Sequence, residues 1–201
     1  MLMAEETVVV KREGSEEQVS KKVKKRWIPM VASKEFDHVV LGETYVDDPE
    51  KAVGKVVRVN LMSLTNDPKK QSMSVTFVVT SVKNNQANTI LVGFEVPPAH
   101  VRRFTKRSKA KVEDSFVYAT ADGVKMQIKT VLMVKAKSHH SKLSLIRAEA
   151  RKFLAEVVKK ESFSEVMKSV VVGNMQRDLK SEVKKYHTVV AAMIRVAKKL
   201  Q

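Results

Sequence analysis

The sequence predicts an α+β fold, with a strongly twisted antiparallel sheet or a small β-barrel followed by a C-terminal group of helices. Between residues 55 and 134, apolar residues alternate with polar ones, as they do in half-buried strands. From residue 143 onward the apolar residues recur every three or four positions, as they do on one face of a helix. This order of strands before helices is typical of α+β proteins.

Alternation predicts three strands before residue 97. The first begins at Lys55 and the second at Met73, and a polar loop over 84–88 separates the second from the third. Successive side chains of a strand point to opposite faces, so each strand has one inward face. In the second strand this face is predicted to hold Met73, Val75, Phe77 and Val79. In the third strand it is predicted to hold Ile90, Val92, Phe94 and Val96.

Proline and glycine signals divide the middle of the chain. Pro97-Pro98 ends the third strand and suits the first turn of a short helix near 98–108. Asp122-Gly123 predicts a hairpin between a strand over 112–119 and a return strand. The short helix is predicted to be apolar on one side and basic on the other. Its apolar residues are Val101 and Phe104, and its basic ones are Arg102, Arg103, Lys106 and Arg107.

Helical spacing begins after residue 137. The first helix is predicted to run for about five turns, and Ser162 with Glu165 forms a capping-box pattern that opens a second helix ending near Gly173. Asn174 is expected to cap a third. The segment 188–201 is left undecided, because its Ala and Met favour a helix while its Val and Ile allow a strand. The apolar residues of the first helix are Leu143, Ile146, Ala150, Phe153 and Val157.

These patterns divide the chain into three parts. Residues 1–26 are expected to form a basic flexible arm, since they carry few large apolar side chains. Residues 27–137 form a β-rich domain that includes the short basic helix. Residues 138–201 form a mainly helical part that packs on the β domain.

The composition excludes several classes of protein. The 201 residues include no Cys, which removes disulfide scaffolds, Cys-ligated zinc, iron–sulfur clusters and thiol catalysis. No run of apolar residues reaches the length of a membrane span, so no membrane partner is expected. The first residues lack the apolar core of a signal peptide. We expect a soluble, basic, intracellular protein.

No catalytic, cofactor or metal site is predicted. The six glycines are isolated and form no phosphate-binding loop. His139-His140 is the only histidine pair, and neighbouring residues of a helix point about 100° apart, which makes a poor chelate. Asp47-Asp48 stands beside Pro49 and is better explained as a turn than as a magnesium site. The expected protein is therefore not an enzyme.

Positive charge is the strongest functional signal. The formal net charge is +16, but residues 27–97 carry only −1, whereas residues 98–142 carry +8 and residues 143–201 carry +7. A basic surface kept only for solubility is one explanation. The concentration of charge favours the other, an electrostatic surface for nucleic acid.

Phosphate contacts are predicted for the segregated basic residues. Arg grips phosphate through two N–H groups and Lys adds a point charge. Aromatic residues make up only 5% of the chain, which argues against rows of stacked bases and favours folded RNA. The candidate RNA-binding residues are Lys21, Lys22, Lys24, Lys25, Arg26, Arg102, Arg103, Lys106, Arg107, Lys109, Lys111, Lys135, Lys137, Lys142 and Arg147.

Trp27 directly follows the basic cluster of the arm and begins the folded part. Stacking on a base is one role for this residue. A place in the core, or in a hydrophobic staple, is the favoured one.

Four motifs together resemble one known family. The most specific combines Asp48-Pro49-Glu50-Lys51, Gly54-Lys55-Val56 and Leu61 with Leu64-Thr65-Asn66-Asp67, and is similar to DPEKxxGRV and SLxDLTxD. The other three motifs are Lys25-Arg26-Trp27 with Val31-Ala32-Ser33-Lys34-Glu35-Phe36, Arg102-Arg103-Phe104-Thr105-Lys106-Arg107 with Ser108-Lys109, and Thr120-Ala121-Asp122-Gly123. In the motif that begins at Lys25, Ser33 stands where the family usually has Pro.

The family that these motifs resemble is the three-Ae type of small-subunit ribosomal protein, shared by archaea and eukaryotes. The resemblance runs from about Lys24 to Leu200. It implies a structural component of the small ribosomal subunit, on the platform near the messenger exit and the 3′ end of the rRNA. The implied partners are small-subunit rRNA, neighbouring platform proteins and messenger RNA near the exit. A free RNA-binding regulator of translation is the alternative.

Overall fold

The computed structural model describes residues 25–33, 36–105, 109–135 and 138–200. This part of the chain contains eight strands and five α-helices. The strands are β1 (Arg26–Val31), β2 (Val40–Val46), β3 (Val56–Asn60), β4 (Ser74–Lys83), β5 (Gln86–Glu95), β6 (Lys111–Ala119), β7 (Lys125–Val134) and β8 (Val189–Lys199). The helices are α1 (Leu61–Thr65), α2 (Pro98–Phe104), α3 (His140–Lys160), α4 (Phe163–Val172) and α5 (Asn174–Lys184).

All eight strands belong to one open sheet that branches at β5. Along one edge β5 pairs antiparallel with β4, which in turn pairs with β3. Its other edge is shared between two neighbours: β1 pairs in parallel at Ala87 and Asn88, and β8 pairs antiparallel at 93–95. β2 continues the β1 branch, while β7 and β6 continue the β8 branch.

The α+β prediction is confirmed. Of the two predicted forms of the sheet, the protein has the open one and not the closed barrel. The short contact between β1 and β5 is parallel, whereas the other strand pairs are antiparallel as predicted.

The predicted inward face of β5 is wrong in its first half and correct in its second. Ile90 is 44% exposed and Val92 is half-buried. The residues that point inward are Ala87, Thr89 and Leu91 in the first half, and Phe94 and Val96 beyond it.

A β-bulge at Val92 causes this change of face. Leu91 lies opposite Phe77 on β4, but Gly93 lies opposite the adjacent Thr76, so Val92 has no partner of its own. One extra residue exchanges the two faces of a strand. Strict alternation along β5 therefore fails at this position.

The three long helices and the sheet share one core. α3 packs on β6, α4 on β5 and α5 on β8. Ile146, Met167 and Leu179, one from each helix, are fully buried in the same cluster as Phe77 and Phe94. None of the helices in the described residues is both long and apolar enough to cross a membrane.

Local signals fix both ends of α4. The predicted capping box is confirmed: the Ser162 hydroxyl accepts from the Glu165 N–H, and the Glu165 carboxylate accepts from the Ser162 N–H. Gly173 ends the helix with φ +95°, a conformation that suits glycine. The prediction that Asn174 caps α5 is wrong. Gly173 is the N-cap and Asn174 is already the first helical residue.

The undecided segment 188–201 contains a strand. β8 occupies the gap between β5 and β7, where Ile194 and Ala197 are buried. A β-branched, half-apolar segment gains more from this position than from a separate helix. The boundary near residue 137 between a β-rich domain and a mainly helical part stays a prediction. β8 follows that boundary in the chain but belongs to the sheet that residues 27–137 form.

Candidate nucleic-acid interface

Backbone pairing brings several of the predicted basic residues to one end of the sheet. The Val134 N–H donates to the Ala110 carbonyl at 2.9 Å, and the Lys135 N–H donates to the Thr188 carbonyl at 3.1 Å. The start of β6, the end of β7 and the start of β8 therefore lie together. We call the group at this end the lysine end; it consists of Lys109, Lys111, Lys135 and Lys142.

α3 begins at the same end and places Lys142 there. The Ser138 hydroxyl lies 2.8 Å from His187 Nε2, which ties the residues before α3 to those after α5. The Lys142 N–H donates to the His139 carbonyl at 3.1 Å, in the first turn of the helix. Two loops, the start of β6 and the start of α3 thus present these basic side chains at one end of the sheet.

The members of the lysine end differ in how far their charges are compensated. Lys111 forms an ion pair with Glu113 at 3.1 Å on its own strand. Lys109 is half-buried. Lys135 and Lys142 are exposed and have no ion pair among the described residues. These two lysines carry the most available charge of the group.

Arg147 lies five residues after Lys142 on α3, and its charge is partly used within the chain. Its Nε atom lies 3.3 Å from Asp114 Oδ1 on β6, and 44% of its side chain is exposed. Burial raises the pKa of Asp114, and the nearby guanidinium works against this shift without cancelling it. Arg147 therefore joins α3 to β6 as well as facing solvent.

α2 shows the predicted separation of apolar and basic sides, as far as it is described. Val101 is buried in the main core, while Arg102 and Arg103 are exposed and have no ion pair among the described residues. Pro98 occupies the first turn, as predicted. The six Cα-to-Cα steps from Arg103 to Lys109 span at most about 22 Å, so α2 lies within reach of the lysine end. Lys106, Arg107 and the side chain of Phe104 lie outside the described residues.

The end of the arm forms a different surface, on β1 and β2. Lys25 Nζ lies 3.9 Å from Asp47 Oδ1 and 5.8 Å from the centre of the Tyr45 ring. Arg26 is exposed and begins β1. The other predicted residues of this group, Lys21, Lys22 and Lys24, lie outside the described residues, as does Lys137.

The favoured role for Trp27, a place in the core or in a staple, is wrong. Trp27 is 61% exposed and lies directly opposite Tyr45, which is 50% exposed. The next residue of each strand, Ile28 and Val46, points into a small core instead. Alternation was the signal that could have shown this, since Ile28 and Met30 place Trp27 on the opposite face of β1.

Sequence reasoning missed a second basic group, at the other end of β7. Lys199 pairs with Met126, and the Leu200 N–H donates to the Lys125 carbonyl at 2.8 Å. Lys125, Lys198 and Lys199, all exposed, are thereby brought together. No local signal predicts this, because the residues meet only when β8 pairs with β7.

The contact between Ser138 and His187 has the wrong hydrogen-bond arrangement for a catalytic pair. The Thr188 N–H donates to His187 Nδ1 at 2.7 Å, so that nitrogen carries no proton. The proton of the neutral ring is then on Nε2, which donates to the Ser138 hydroxyl rather than taking its proton. Within the described residues no three His, Asp or Glu side chains are grouped so as to hold a metal ion.

This chain is similar to several curated proteins that share one name. The small ribosomal subunit protein eS1 of Haloarcula marismortui is 30% identical over 171 residues, which cover 85% of this chain and 80% of that protein. The protein of the same name from Archaeoglobus fulgidus is 30% identical over 173 residues, covering 85% and 82%. That of Nanoarchaeum equitans is 28% identical over 164 residues, covering 82% and 83%.

A family model gives the same result over more of the chain. The model of the Ribosomal S3Ae family matches residues 13–201, which include all four motifs on which the resemblance rests. The resemblance is therefore confirmed, and this chain belongs to the Ribosomal S3Ae family.

Proposed function

We propose that this protein is a structural constituent of the small ribosomal subunit that binds rRNA through phosphate contacts. The relatives named small ribosomal subunit protein eS1 support a structural role in the ribosome. The finer parts of the proposal come from the resemblance and from the charged surfaces. They are a place on the platform near the messenger exit and the rRNA 3′ end, neighbouring platform proteins, messenger RNA near the exit, and the cytoplasm.

One observation carries the proposed rRNA contact: exposed cations of α2 and the lysine end without acidic partners. Arg102, Arg103, Lys135 and Lys142 form no ion pair among the described residues. Uncompensated charges on one side of a protein repel each other, and an RNA backbone removes that repulsion while releasing counterions. Arg102 and Arg103 suit bidentate contacts with phosphate, and the lysines suit point contacts.

The remaining candidates extend this surface in both directions along the chain. Lys109, Lys111 and Arg147 add partly compensated charge beside the lysine end. We assign phosphate contacts also to Lys21, Lys22, Lys24, Lys25 and Arg26 of the arm, and to Lys106, Arg107 and Lys137.

A salt series tests the phosphate contacts. Binding of a small-subunit rRNA fragment should weaken linearly in a plot of log affinity against log salt, with about 0.7–0.9 of slope for each phosphate contact. Replacing Arg102 and Arg103 together with Gln should flatten this slope by about one to two units. Lys51→Gln is the matched control, because Lys51 pairs with Asp48 at 2.7 Å in the nearly neutral region 27–97. An unchanged slope in the double variant would place α2 against protein or solvent.

Sedimentation separates the proposed role from that of a free translation regulator. A structural constituent should stay with small subunits through a high-salt wash that removes loosely bound factors. Recovery of the chain only in the ribosome-free fraction would favour the regulator.

A further inference from the structure

We propose that the exposed pair Trp27 and Tyr45 stacks on an unpaired base of the bound RNA. The inference rests on the proposed RNA-binding function. It adds to it a contact that phosphate binding does not require, and it names single-stranded RNA as the occupant of this face. One pair of rings serves one or two bases, so the low aromatic content of the chain is no obstacle.

The two rings form a preorganised apolar surface on β1 and β2. Trp27 and Tyr45 occupy directly opposed positions of the antiparallel pair, and their ring centres are 4.8 Å apart. Because the centres are this close and the planes are inclined by only 36°, the rings contact each other and leave no room for a base between them. With 61% of Trp27 exposed, the indole offers its outer face to a planar partner.

The charge around the pair suits a nucleic acid. The side chain of Lys25 is 52% exposed, and its ammonium group lies 5.8 Å from the centre of the Tyr45 ring. Lys25 belongs to the basic run at 21–26. Lys25 Nζ lies 3.9 Å from Asp47 Oδ1, so the positive charge of the lysine offsets the negative charge of this carboxylate. Glu43, opposite Pro29, is an exposed acid on the far side of the pair. The RNA backbone is therefore expected to pass on the Lys25 side, with a base turned onto the indole.

The opposite face of β1 and β2 is buried. Ile28 and Val46 face the small core on the other side of β1 and β2. Neither ring is needed in that core. The contact between the two rings supports the pairing of β1 with β2, but it leaves the outer face of the indole open beside five closely spaced basic residues. Base stacking gives such rings a role and tolerates any base, because each base has a π-face.

Fluorescence can test this directly, since Trp27 is the only tryptophan. The probes are an oligoadenylate of about 12 nucleotides, within the usual range of single-strand sites, and an RNA duplex of equal length. We expect the single strand to quench Trp27 emission of the full chain and the duplex to bind without quenching.

Variants separate stacking from charge. Trp27→Ala should weaken oligoadenylate binding about 5- to 150-fold, while Trp27→Phe should keep most of the affinity. The salt slope should stay unchanged in both, because stacking releases no counterions. Tyr186→Ala is the matched control, since Tyr186 is 58% exposed on another part of the surface. Because Trp27 is exposed, these variants should fold normally, which circular dichroism checks.

Each other result overturns the inference. If both RNAs bind with wild-type salt slopes but Trp27 emission stays constant and Trp27→Ala binds within twofold, phosphate binding stands and this face belongs to a protein neighbour. If Trp27→Ala lowers the slope, the residue acts by positioning the basic run instead. If neither RNA binds, the proposed function itself fails.

Discussion

Asp122 Oδ2 accepts a hydrogen bond from the backbone N–H of Phe163 at 2.9 Å, across 41 positions of sequence. Asp122 lies in the turn between β6 and β7, and Phe163 is the first residue of α4. Beside this contact the Ala121 N–H donates to the Glu161 carbonyl at 3.2 Å. The turn thus fastens the junction of α3 and α4 to the sheet, and its carboxylate satisfies one of the unpaired N–H groups at a helix start.

Asp122→Ala should therefore lower the free energy of unfolding by about 1 kcal/mol, the usual effect of losing a capping acceptor. Asp122→Asn should have a smaller effect, since an amide oxygen also accepts but carries no charge at the helix N-terminus. Urea unfolding measures both. Asp37→Asn, at an exposed position between β1 and β2, is the control. Equal stability of Asp122→Ala and wild type would mean that water replaces the carboxylate without loss.

Val75 and Phe77 should behave as core residues, because both side chains are fully buried. Phe77→Ala should cost about 3–5 kcal/mol through lost burial and the cavity it leaves. Val56→Ala, on the edge strand β3 and 63% exposed, should change stability by less than about 0.5 kcal/mol. The salt dependence of RNA binding should stay the same in both, since neither position carries charge. A small effect of Phe77→Ala on denaturant unfolding would contradict the described packing.

Sequence patterns predicted those features that depend on neighbouring residues. The capping box at Ser162 and Glu165, the glycine stop at Gly173 and the inward Val75 and Phe77 are local, and the structure contains them. Family membership in turn confirms the prediction of a structural ribosomal protein rather than an enzyme.

Features that depend on distant pairing could not be predicted in this way. The bulge at Val92 is defined by the register with β4, and β8 is a strand because a gap between β5 and β7 receives it. The basic group of Lys125, Lys198 and Lys199 exists only through that pairing. For the same reason Arg147, grouped by sequence with the free cations, has Asp114 as its partner.

Glu161 and Glu165 should affect stability in opposite directions as the pH falls. Burial, followed by the charges of Glu165 and Asp178, raises the pKa of Glu161, whose Oε2 is buried with no hydrogen-bond partner among the described residues. Hydrogen bonds from Ser162 lower the pKa of Glu165. A raised folded-state pKa favours the native state once the group is protonated, and a lowered one favours it while the group is ionised.

Unfolding measured from pH 7 to pH 3 against two variants checks this. Relative to Glu161→Gln, the wild type should gain stability as the pH falls through the raised pKa toward the ordinary value of a Glu. Relative to Glu165→Gln, it should lose stability as the pH falls from the ordinary value through the lowered pKa. Differences of the same sign for both variants would show that Glu161 is not desolvated.

Lys142 and Arg147 should differ in RNA binding although both lie on α3. Lys142 has no ion pair among the described residues, so Lys142→Gln should flatten the salt slope by about 0.7–0.9, the value for one phosphate. The positive charge of Arg147 is partly offset by Asp114, so Arg147→Gln should flatten the salt slope less.

Arg147→Gln should instead affect folding. It leaves the partly buried carboxylate of Asp114 without its cation and raises the pKa of Asp114 further. Arg147→Gln should consequently lose stability near neutral pH and recover part of it on acidification, when Asp114 is protonated. Salt series and denaturant unfolding at two pH values measure these effects side by side. A full unit of lost slope with unchanged stability in Arg147→Gln would mean that this side chain leaves Asp114 for RNA.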